Sequence, residues 1–225
     1  MRTLVRVLNL KQMSYLKAYD IQISVMNDIK NSLKCGSSEV NNTLILVEHK
    51  PVYTIGVRSK PYEDLHLEKR LKGLGAEFVR TNRGGLITFH GSGQLVVYPV
   101  LYLGSFDTLN RSIRCYVRSL ETTLIHLCHS FGVKTSVVEG LPGVWVDNDR
   151  KIAAIGIHCS NSVTTHGLAL NCNVHLKWFE EVVPCGLSDK TVTSLSRELK
   201  RDVSVEEVIP RFLDSFQSNF KCDFK

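Results

Sequence analysis

Apolar residues recur along the chain with two periods, one typical of strands and one typical of amphipathic helices. Leu4 to Leu10 alternates like a short strand, whereas the spacing within residues 13–33 predicts a helix that packs on a sheet. The continuous apolar run 43–47 then predicts a buried strand, which ends at Glu48-His49-Lys50-Pro51. This order of strand, helix and strand favours a fold that mixes helices with a sheet.

Shorter elements separated by glycines are predicted in the middle of the chain. Residues 64–72 have helical spacing, and Gly73 and Gly75 end that helix. Strands are predicted next at 76–81, 86–90 and 94–102. Asp107 is then a candidate N-cap for a long amphipathic helix whose apolar face extends to Phe131.

A hairpin is predicted in the last third of the chain. Asp147-Asn148-Asp149-Arg150 is a polar turn between the apolar runs 143–147 and 151–157. The run 163–170 predicts a third strand.

Ser204-Val205-Glu206-Glu207 has the pattern of a capping box before a final helix, which must hold Pro210 early or bend there. No internal repeat or linker divides the chain. We therefore expect residues 1–225 to form one α/β (α+β) domain, in which helices pack on a mixed β-sheet.

The composition, with 43% hydrophobic and 22% charged residues, is that of an ordinary globular protein. No apolar run is long enough to span a bilayer, and no charged leader precedes an apolar signal core, so we expect no membrane association. The seven cysteines form no CxxC pair, which disfavours a disulfide framework and structural zinc. A reducing compartment fits this composition best.

The net charge of +6 makes an acidic partner plausible. Lysines and arginines are spread along the chain without dense tracts, and no RNA-binding signature with interleaved aromatic residues is present. We therefore expect no nucleic-acid partner.

Cys185 stands in the sharpest local pattern, Val183-Pro184-Cys185-Gly186-Leu187. Because Pro184 fixes its own φ and Gly186 permits unusual backbone angles, the segment predicts a stiff turn that presents one thiol. Amide N–H groups near Cys185 and Gly186 are candidate donors to a substrate oxyanion. The alternative is a small buried hydrophobic residue beside a turn, and a partner that lowers the thiol pKa must decide between them.

Lys151 opens an apolar strand directly after the polar turn. Near Cys185 its ammonium could stabilise the thiolate and later accept or return a proton. A lysine beside a turn is more often a solvated charge, and composition and spacing alone favour that interpretation.

The segment Arg83–Gln94, RGGLITFHGSGQ, is rich in glycine. It is not a P-loop, since no Gly-Lys-Ser/Thr ends it, and it is not a well-placed dinucleotide fingerprint. Glycine-rich walls would let an extended ligand lie against the main chain. Tight turns between strands explain the glycines equally well.

Histidines and cysteines, which can bind metals, lie close together in sequence around the strand predicted at 163–170. They are His158, Cys159, His166, Cys172 and His175. Their spacing matches no familiar zinc pattern, so isolated polar or core residues are the better interpretation and no metal is expected.

Four ordered segments resemble the lipoyl(octanoyl) transferases, lipoate-biosynthesis enzymes related in fold to biotin and lipoate protein ligases. The segments are RGGLITFHGSGQ at 83–94, GVWVDNDRKIAAIG at 143–156, HGLALN at 166–171 and PCGL at 184–187, with EHKPVYT at 48–54 upstream. The match is collinear and covers nearly the whole chain. It is therefore much more specific than any single motif, and it implies a fold similar to the biotin and lipoate protein ligase catalytic domain.

The resemblance implies octanoyl transfer from octanoyl-acyl carrier protein to a lysine of lipoyl domains, those of 2-oxoacid dehydrogenase E2 subunits and of the glycine cleavage H protein. Cys185 takes the position of the nucleophile that forms a thioester, and Lys151 that of the lysine that lowers the thiol pKa and acts as general base. No cofactor is implied, because the thioester already carries an activated acyl group. The residues that match the family's acyl-binding segments are Arg83, Gly84, Gly85, Leu86, Ile87, Thr88, Phe89, His90, Ala154, Ile155, Gly156, Gly167, Leu168 and Ala169.

Two positions depart from the family pattern. Ser92 stands where many relatives carry proline, and His158 where arginine is expected. Two rival functions stay open: an ATP-dependent ligase, which would not need Cys185, and a non-catalytic acyl-carrier-binding domain. The presence of both Cys185 and Lys151 argues for the enzyme.

The compartment is suggested by the family and by composition. Eukaryotic members are mitochondrial and bacterial members cytosolic, and the many cysteines and serines favour the mitochondrion. The first acidic residue is Asp20, but Leu4–Leu10 already looks like a strand of the domain, so no separate cleaved presequence is evident. We expect a monomer.

Overall fold

The computed structural model describes residues 2–37, 39–58, 65–182 and 190–225. The strands are β1 (Thr3–Met13), β2 (Thr43–His49), β3 (Val52–Ile55), β4 (Glu77–Arg80), β5 (Ile87–His90), β6 (Gln94–Val100), β7 (Ser136–Val138), β8 (Leu141–Val146), β9 (Arg150–Ser160), β10 (Val163–Asn171), β11 (Thr191–Val192) and β12 (Cys222–Phe224). The helices are α1 (Tyr15–Lys34), α2 (Leu65–Gly73), α3 (Ile113–Ser130), α4 (Lys177–Glu180), α5 (Leu195–Leu199) and α6 (Val205–Phe220).

In these ranges, nine strands form one large sheet in the order β12-β1-β2-β6-β10-β9-β8-β7, with β11 paired to β9. β1 is parallel to β2 and β12, whereas each pairing from β2 to β7 is antiparallel. A second, smaller sheet has β3 at its centre, parallel to β4 and antiparallel to β5. The sheets are mixed, as predicted.

Helices cover both faces of the large sheet. α3 and α6 pack on one face, where the rings of Phe216 and Phe220 stack with centroids 4.1 Å apart. α1 packs on the other face through Tyr15, Ala18 and Ile29. The predicted fold class, helices packed on a mixed sheet, is therefore confirmed, while the assignment of residues 1–225 to one domain stays a prediction.

The predicted hairpin is confirmed at β8 and β9. Asp147 and Asn148 have φ values of 50° and 58° in the turn between these strands. Asparagine and aspartate tolerate this left-handed conformation, which suits the three-residue loop 147–149 between the two strands. Asn161 and Ser162, with φ values of 54° and 60°, join β9 to β10 in the same way.

Of the two helix N-caps predicted from the sequence, one is confirmed and the other is wrong. Ser204 caps α6, since its Oγ accepts a hydrogen bond from the N–H of Glu207 at 3.2 Å. Asp107 does not cap α3. That helix is capped by Ser112, whose Oγ accepts from Cys115 N–H at 3.3 Å, because short 3₁₀ turns occupy the preceding residues.

β3 was not predicted from the sequence. It has four residues, follows Pro51, and is held by pairing with β4 and β5 rather than by a pattern of its own. In the described part of the chain, no helix combines the length and apolarity needed to cross a membrane.

Candidate active site

A cavity of about 360 Å³ lies between the segment Arg83–His90 and strands β6, β9 and β10 of the large sheet. This volume is typical of small-molecule sites. The predicted substrate-binding residues that line it are Arg83, Gly84, Gly85, Leu86, Ile87, Thr88, His90, Ala154, Ile155, Gly156, Gly167, Leu168 and Ala169. Segments from β5, β9 and β10, far apart in sequence, therefore meet at one site, which Lys151 also lines.

Phe89 is the predicted substrate-binding residue that does not line the cavity. Successive side chains of a strand point to opposite faces, so Phe89 points away from the side that Thr88 and His90 share. Its ring stacks on Trp178 with centroids 5.0 Å apart and packs in the core of the small sheet. Its contacts are those of a core residue.

Lys151 reaches the cavity because β9 carries a bulge near its beginning. Val144 of β8 lies opposite Ala153, but the next residue, Trp145, lies opposite Lys151, which leaves Ile152 as the extra residue. Ile152 and Ala153 both face the main core. Without the extra residue, strict alternation would place Lys151 on the same side as Ala153.

The surroundings of Lys151 are those of a buried residue. Its exposure is 8%, and its Nζ lies 4.6 Å from the centroid of the Trp145 ring. The interpretation of Lys151 as a solvated surface charge is therefore wrong.

Cys185 lies outside the described residues, together with the rest of 183–189, so its role stays a prediction. The described chain resumes at Lys190, and β11 then runs parallel to the start of β9 with Val192 opposite Lys151.

Glycines let main chain approach main chain at this site. A Cβ on Gly167 would lie 2.1 Å from the carbonyl oxygen of Val97, and one on Gly156 would lie 2.9 Å from that of Gly84. Glycine at these positions thus lets β10 press against β6 and lets the Arg83–Gly85 loop lie against β9.

Several hydrogen bonds hold the loop that begins at Asn82. Gly84 N–H donates to the carbonyl of Ile157 at 2.9 Å, and the Arg83 guanidinium donates to the Thr54 carbonyl at 2.6 Å. The side-chain oxygen of Asn82 lies 2.7 Å from Nε2 of His166 on β10. The loop is therefore tied to both sheets.

A cluster of histidines and tyrosines borders the cavity on the α1 side. Tyr15, His90, Tyr98 and His166 line the cavity directly. His49 lies behind them, with its Nε2 2.7 Å from the Tyr98 hydroxyl and its Nδ1 2.9 Å from a main-chain carbonyl. Nδ1 of His166 lies 3.5 Å from the Tyr15 hydroxyl.

The protonation of this cluster follows from its burial. Removal from water disfavours the charged imidazolium, which lowers the pKa of His49 to about 4 and the pKa values of His90 and His166 to about 3. Burial likewise raises the pKa of the Tyr15 phenol above its usual range. All of these groups are therefore uncharged near neutral pH.

The sequence interpretation missed part of this wall. Tyr15, Tyr98 and His49 were not singled out, and neither were the lining residues Arg58, Val117 and Gly140–Pro142. The sequence signal that could have found these residues is a polar aromatic side chain inside an apolar run, as at Tyr98, or at its end, as at His49.

The two departures from the family pattern lie away from the cavity lining. His158 pairs with Thr165 between β9 and β10, and Ser92 accepts a hydrogen bond from Gln12 Nε2 at 3.0 Å. Within the described ranges, no three His, Cys, Asp or Glu side chains are grouped as metal ligands would be.

The amino-acid sequence matches a protein family and named enzymes over most of its length. Residues 15–217 match the profile of a family described as the lipoyl protein ligase A/B catalytic domain. The chain is 52% identical over 218 residues to the Danio rerio protein "Octanoyl-[acyl-carrier-protein]:protein N-octanoyltransferase LIPT2, mitochondrial", covering 97% of this chain and 93% of that one. It is 41% identical over 220 residues to the "Octanoyltransferase" of Koribacter versatilis, covering 97% and 85%.

Among solved structures, the fold is similar to that of a lipoate-protein ligase A bound with ATP. The TM-score is 0.70 at 16% identity, and the match covers 100% of this chain and 88% of that one. At this identity the likeness concerns the fold alone.

Proposed function

Since the chain belongs to the family of lipoyl protein ligase A/B catalytic domains, we propose that it transfers an octanoyl group from octanoyl-acyl carrier protein to a lysine of lipoyl domains. It is a mitochondrial acyltransferase. The proposed acceptors are the lipoyl domains of 2-oxoacid dehydrogenase E2 subunits and the glycine cleavage H protein.

The observation that carries this proposal is the convergence of the predicted acyl-binding segments on one cavity. Residues from β5, β9 and β10 form its lining, and the ammonium-bearing Lys151 stands in the same lining. Apolar and glycine main-chain surfaces suit a hydrocarbon chain, whereas a lysine suits the reacting end.

In the proposed first step, the Cys185 thiolate attacks the carbonyl carbon of the octanoyl thioester. A new carbon–sulfur bond forms, the bond to the carrier's sulfur breaks, and the carrier's thiol leaves with a proton that Lys151 gives up, which leaves Lys151 neutral. The ammonium of Lys151 favours the Cys185 thiolate, and main-chain N–H groups stabilise the oxyanion. The passage of β11 beside Lys151, soon after Cys185 in the chain, supports this pairing.

In the second step, the amine of the acceptor lysine attacks the acyl-enzyme. A carbon–nitrogen bond forms, the bond to the Cys185 sulfur breaks, and the amine proton passes to Lys151 in its neutral form. The amide product and the free enzyme thiol result, so neither step consumes ATP.

The direct test is the intact mass of the protein after incubation with octanoyl-acyl carrier protein without ATP. We expect the mass to rise by one octanoyl group and to return to its starting value when a lipoyl domain is added. Absence of the adduct, or a requirement for ATP, would show that the proposal is wrong and would favour a ligase.

Variants test the proposed roles of Cys185 and Lys151. Cys185→Ala should form no adduct, and Lys151→Ala should slow both steps, with acylation partly recovering at higher pH as the thiol ionises unaided. Lys190→Ala is a matched control, because Lys190 lies 3.5 Å from Asp149 at the hairpin and is not part of the cavity lining. If the alkylation rate of Cys185 has the same pH dependence in Lys151→Ala as in wild type, Lys151 does not activate the thiol.

A further inference from the structure

The cavity opens to solvent beside helix α3. Val117 of α3 lines the cavity and is half-buried, and Gly140 and Pro142, which also line it, are exposed. Ile113 lies one helical turn before Val117, and its exposed fraction is 48%. The apolar lining of the cavity therefore continues onto the surface of the protein along one face of α3.

Two arginines lie on the same face of α3. Arg114 and Arg118 are exposed and one helical turn apart. In the described part of the chain, neither forms a salt bridge with a carboxylate. Other exposed arginines do form one, namely Arg2, Arg70 and Arg201. The charges of Arg114 and Arg118 are therefore available to a partner.

The stability of α3 does not explain these arginines. The N-terminal end of a helix carries a partial positive charge, so acidic side chains stabilise it and basic side chains do not. Arg114 lies in the first turn of α3, and that turn contains no acidic residue. An anionic partner outside the chain therefore accounts for the charge of this face better than the fold does.

The third turn of α3 lies near the Lys151 end of β9. The carboxylate of Glu121 accepts a hydrogen bond from the N–H of Gly143 at 3.3 Å. A Cβ on Gly143 would lie 2.5 Å from the carbonyl oxygen of Ala153, which is two residues from Lys151 on β9.

The first turn of α3 lies beside the opposite end of β9. The Tyr116 hydroxyl donates to the carbonyl oxygen of Pro99 at 3.5 Å, and the Thr164 hydroxyl donates to the same oxygen at 2.7 Å. Thr164 lies opposite Cys159, which is eight residues beyond Lys151 on β9. At about 3.3 Å per residue, the first turn of α3 is therefore roughly 20–25 Å from Lys151 along the strand.

This distance distinguishes the two protein substrates of the proposed reaction. An acceptor lysine is a four-carbon side chain, so the domain that carries it must come close to Lys151. The donor carries its octanoyl group on the thiol of a long, flexible arm, so the body of the carrier protein can lie far from Lys151 while the acyl group enters the cavity. The carrier is also acidic, which complements the two arginines.

We propose that the α3 face, formed by Ile113, Arg114, Val117 and Arg118, is the docking surface for the body of octanoyl-acyl carrier protein. This inference rests on the proposed function. Carboxylates of the carrier pair with Arg114 and Arg118, an apolar side chain of the carrier packs on Ile113, and the thiol arm passes Val117 into the cavity. The α3 face acts in donor binding and takes no part in the chemical steps.

The test uses the double variant Arg114→Glu/Arg118→Glu of the full chain in steady-state assays of octanoyl transfer. KM is measured for octanoyl-acyl carrier protein, for a small octanoyl thioester and for a lipoyl domain. The matched control is Arg6→Glu/Lys134→Glu, which changes the net charge by the same amount. Both control residues are exposed; Arg6 lies on β1, four strands from β9, and Lys134 lies beyond the C-terminal end of α3.

We expect Arg114→Glu/Arg118→Glu to raise the KM for the carrier about tenfold or more and to leave the other two KM values within about twofold of wild type. The control should raise the KM for the carrier by less than about threefold, because its charges act only through the long-range field. Added salt should raise the carrier's KM in wild type but lower it in Arg114→Glu/Arg118→Glu, since the facing charges then repel.

Ile113→Ser tests the apolar contact without a change of charge. It should raise the KM for the carrier about threefold or more and leave the salt dependence as in wild type. Thermal unfolding checks that each variant is folded. Should the charge reversals lower stability, Arg114→Ala/Arg118→Ala is the second variant, with the same pattern among the three substrates and a smaller rise in KM for the carrier.

An equal rise in the carrier's KM in the control would show that net charge, not the α3 face, attracts the carrier, and would overturn the inference. A loss shared by the small thioester, or a rise confined to the lipoyl domain, would overturn it as well, the latter by assigning the face to the acceptor. A wild-type protein that transfers no octanoyl group from the carrier would contradict the proposed function. Wild-type transfer together with an unchanged KM in Arg114→Glu/Arg118→Glu would contradict this inference alone.

Discussion

At the scale of single residues, His166 shows how the site is held together. It has a left-handed φ of 56° within β10, a conformation that is strained for most residues other than glycine. Its N–H donates to Oε1 of Gln22 at 2.9 Å, and its ring contacts Tyr15 and Asn82. These bonds offset the strain and tie α1 and the glycine-rich loop to one position of the sheet.

The neighbouring Gly167 leads to a stability prediction. Its missing Cβ would point at the Val97 carbonyl oxygen, 2.1 Å away, and at Pro99 Cδ, 2.6 Å away, rather than along the acyl chain. Gly167→Ala should therefore lower the free energy of unfolding by more than about 2 kcal/mol and reduce transfer of short and long acyl groups alike. Urea unfolding and assays with two acyl lengths measure the two effects.

Gly73→Ala is the matched control, since a Cβ there meets nothing within 4 Å. It should leave stability unchanged or slightly raised. A Gly167→Ala protein as stable as wild type that loses only long-chain transfer would show instead that Gly167 leaves room for the acyl chain.

The buried histidines lead to a prediction about pH. The folded-state pKa values of His49, about 4, and of His90 and His166, about 3, lie below the value of about 6.5 expected in the unfolded chain. The unfolded state therefore binds more protons as pH falls, so their contribution to stability is complete above about pH 6.5 and is lost progressively toward the folded-state values. Each histidine adds a slope of up to about 1.4 kcal/mol per pH unit in that window.

His90→Asn removes one of these titrating groups and should reduce the slope by about 1.4 kcal/mol per pH unit between about pH 4.5 and 6. Denaturant unfolding at several pH values, on the variant and on wild type, measures it. Parallel curves for the two proteins would contradict burial of a neutral His90.

At the scale of elements, the loop that begins at Asn82 closes one side of the cavity. Its main chain bonds to β9 through Gly84 and Ile157, and Val57 N–H donates to the Arg83 carbonyl at 2.9 Å. Its side-chain link to the large sheet is the contact between Asn82 and His166.

Asn82→Ala should therefore loosen the loop without unfolding the protein. We expect the KM for the octanoyl donor to rise about two- to tenfold, the range expected for one hydrogen bond, with a smaller change in the rate of Cys185 alkylation. Asn27→Ala, an exposed change on α1, is the control for loss of an asparagine. An unchanged KM in Asn82→Ala would mean that the main-chain bonds suffice to hold the loop.

At the scale of the whole molecule, the net charge of +6 favours encounter with an acidic carrier protein. Long-range attraction of this kind is screened over about 10 Å at 0.1 M salt and about 3 Å at 1 M. The apparent KM for octanoyl-acyl carrier protein should consequently rise with salt, while that for a small octanoyl thioester should change much less. Steady-state kinetics with both donors checks this, and identical salt responses would exclude charge steering.

Local sequence patterns were sufficient to predict much of the fold. The strands β6, β8, β9 and β10 follow from their apolar runs, and the turn at Asp147 and Asn148 follows from residues that tolerate positive φ. The N-cap at Ser204 was likewise readable. These features depend on neighbours within a few positions in the chain, where propensity and periodicity act.

The assembly of the cavity from distant segments depended on tertiary structure. Periodicity could not place Lys151, because the bulge at Ile152 reverses the face on which it lies. Alternation along β5 separates Phe89 from Thr88 and His90, but the sequence could not tell which face of β5 meets the cavity. The wall of Tyr15, Tyr98 and the histidines depends on partners as far apart as Tyr15 and His166. Such contacts arise only when strands and helices pack, because burial and hydrogen-bond geometry, unlike local propensity, are properties of the folded chain.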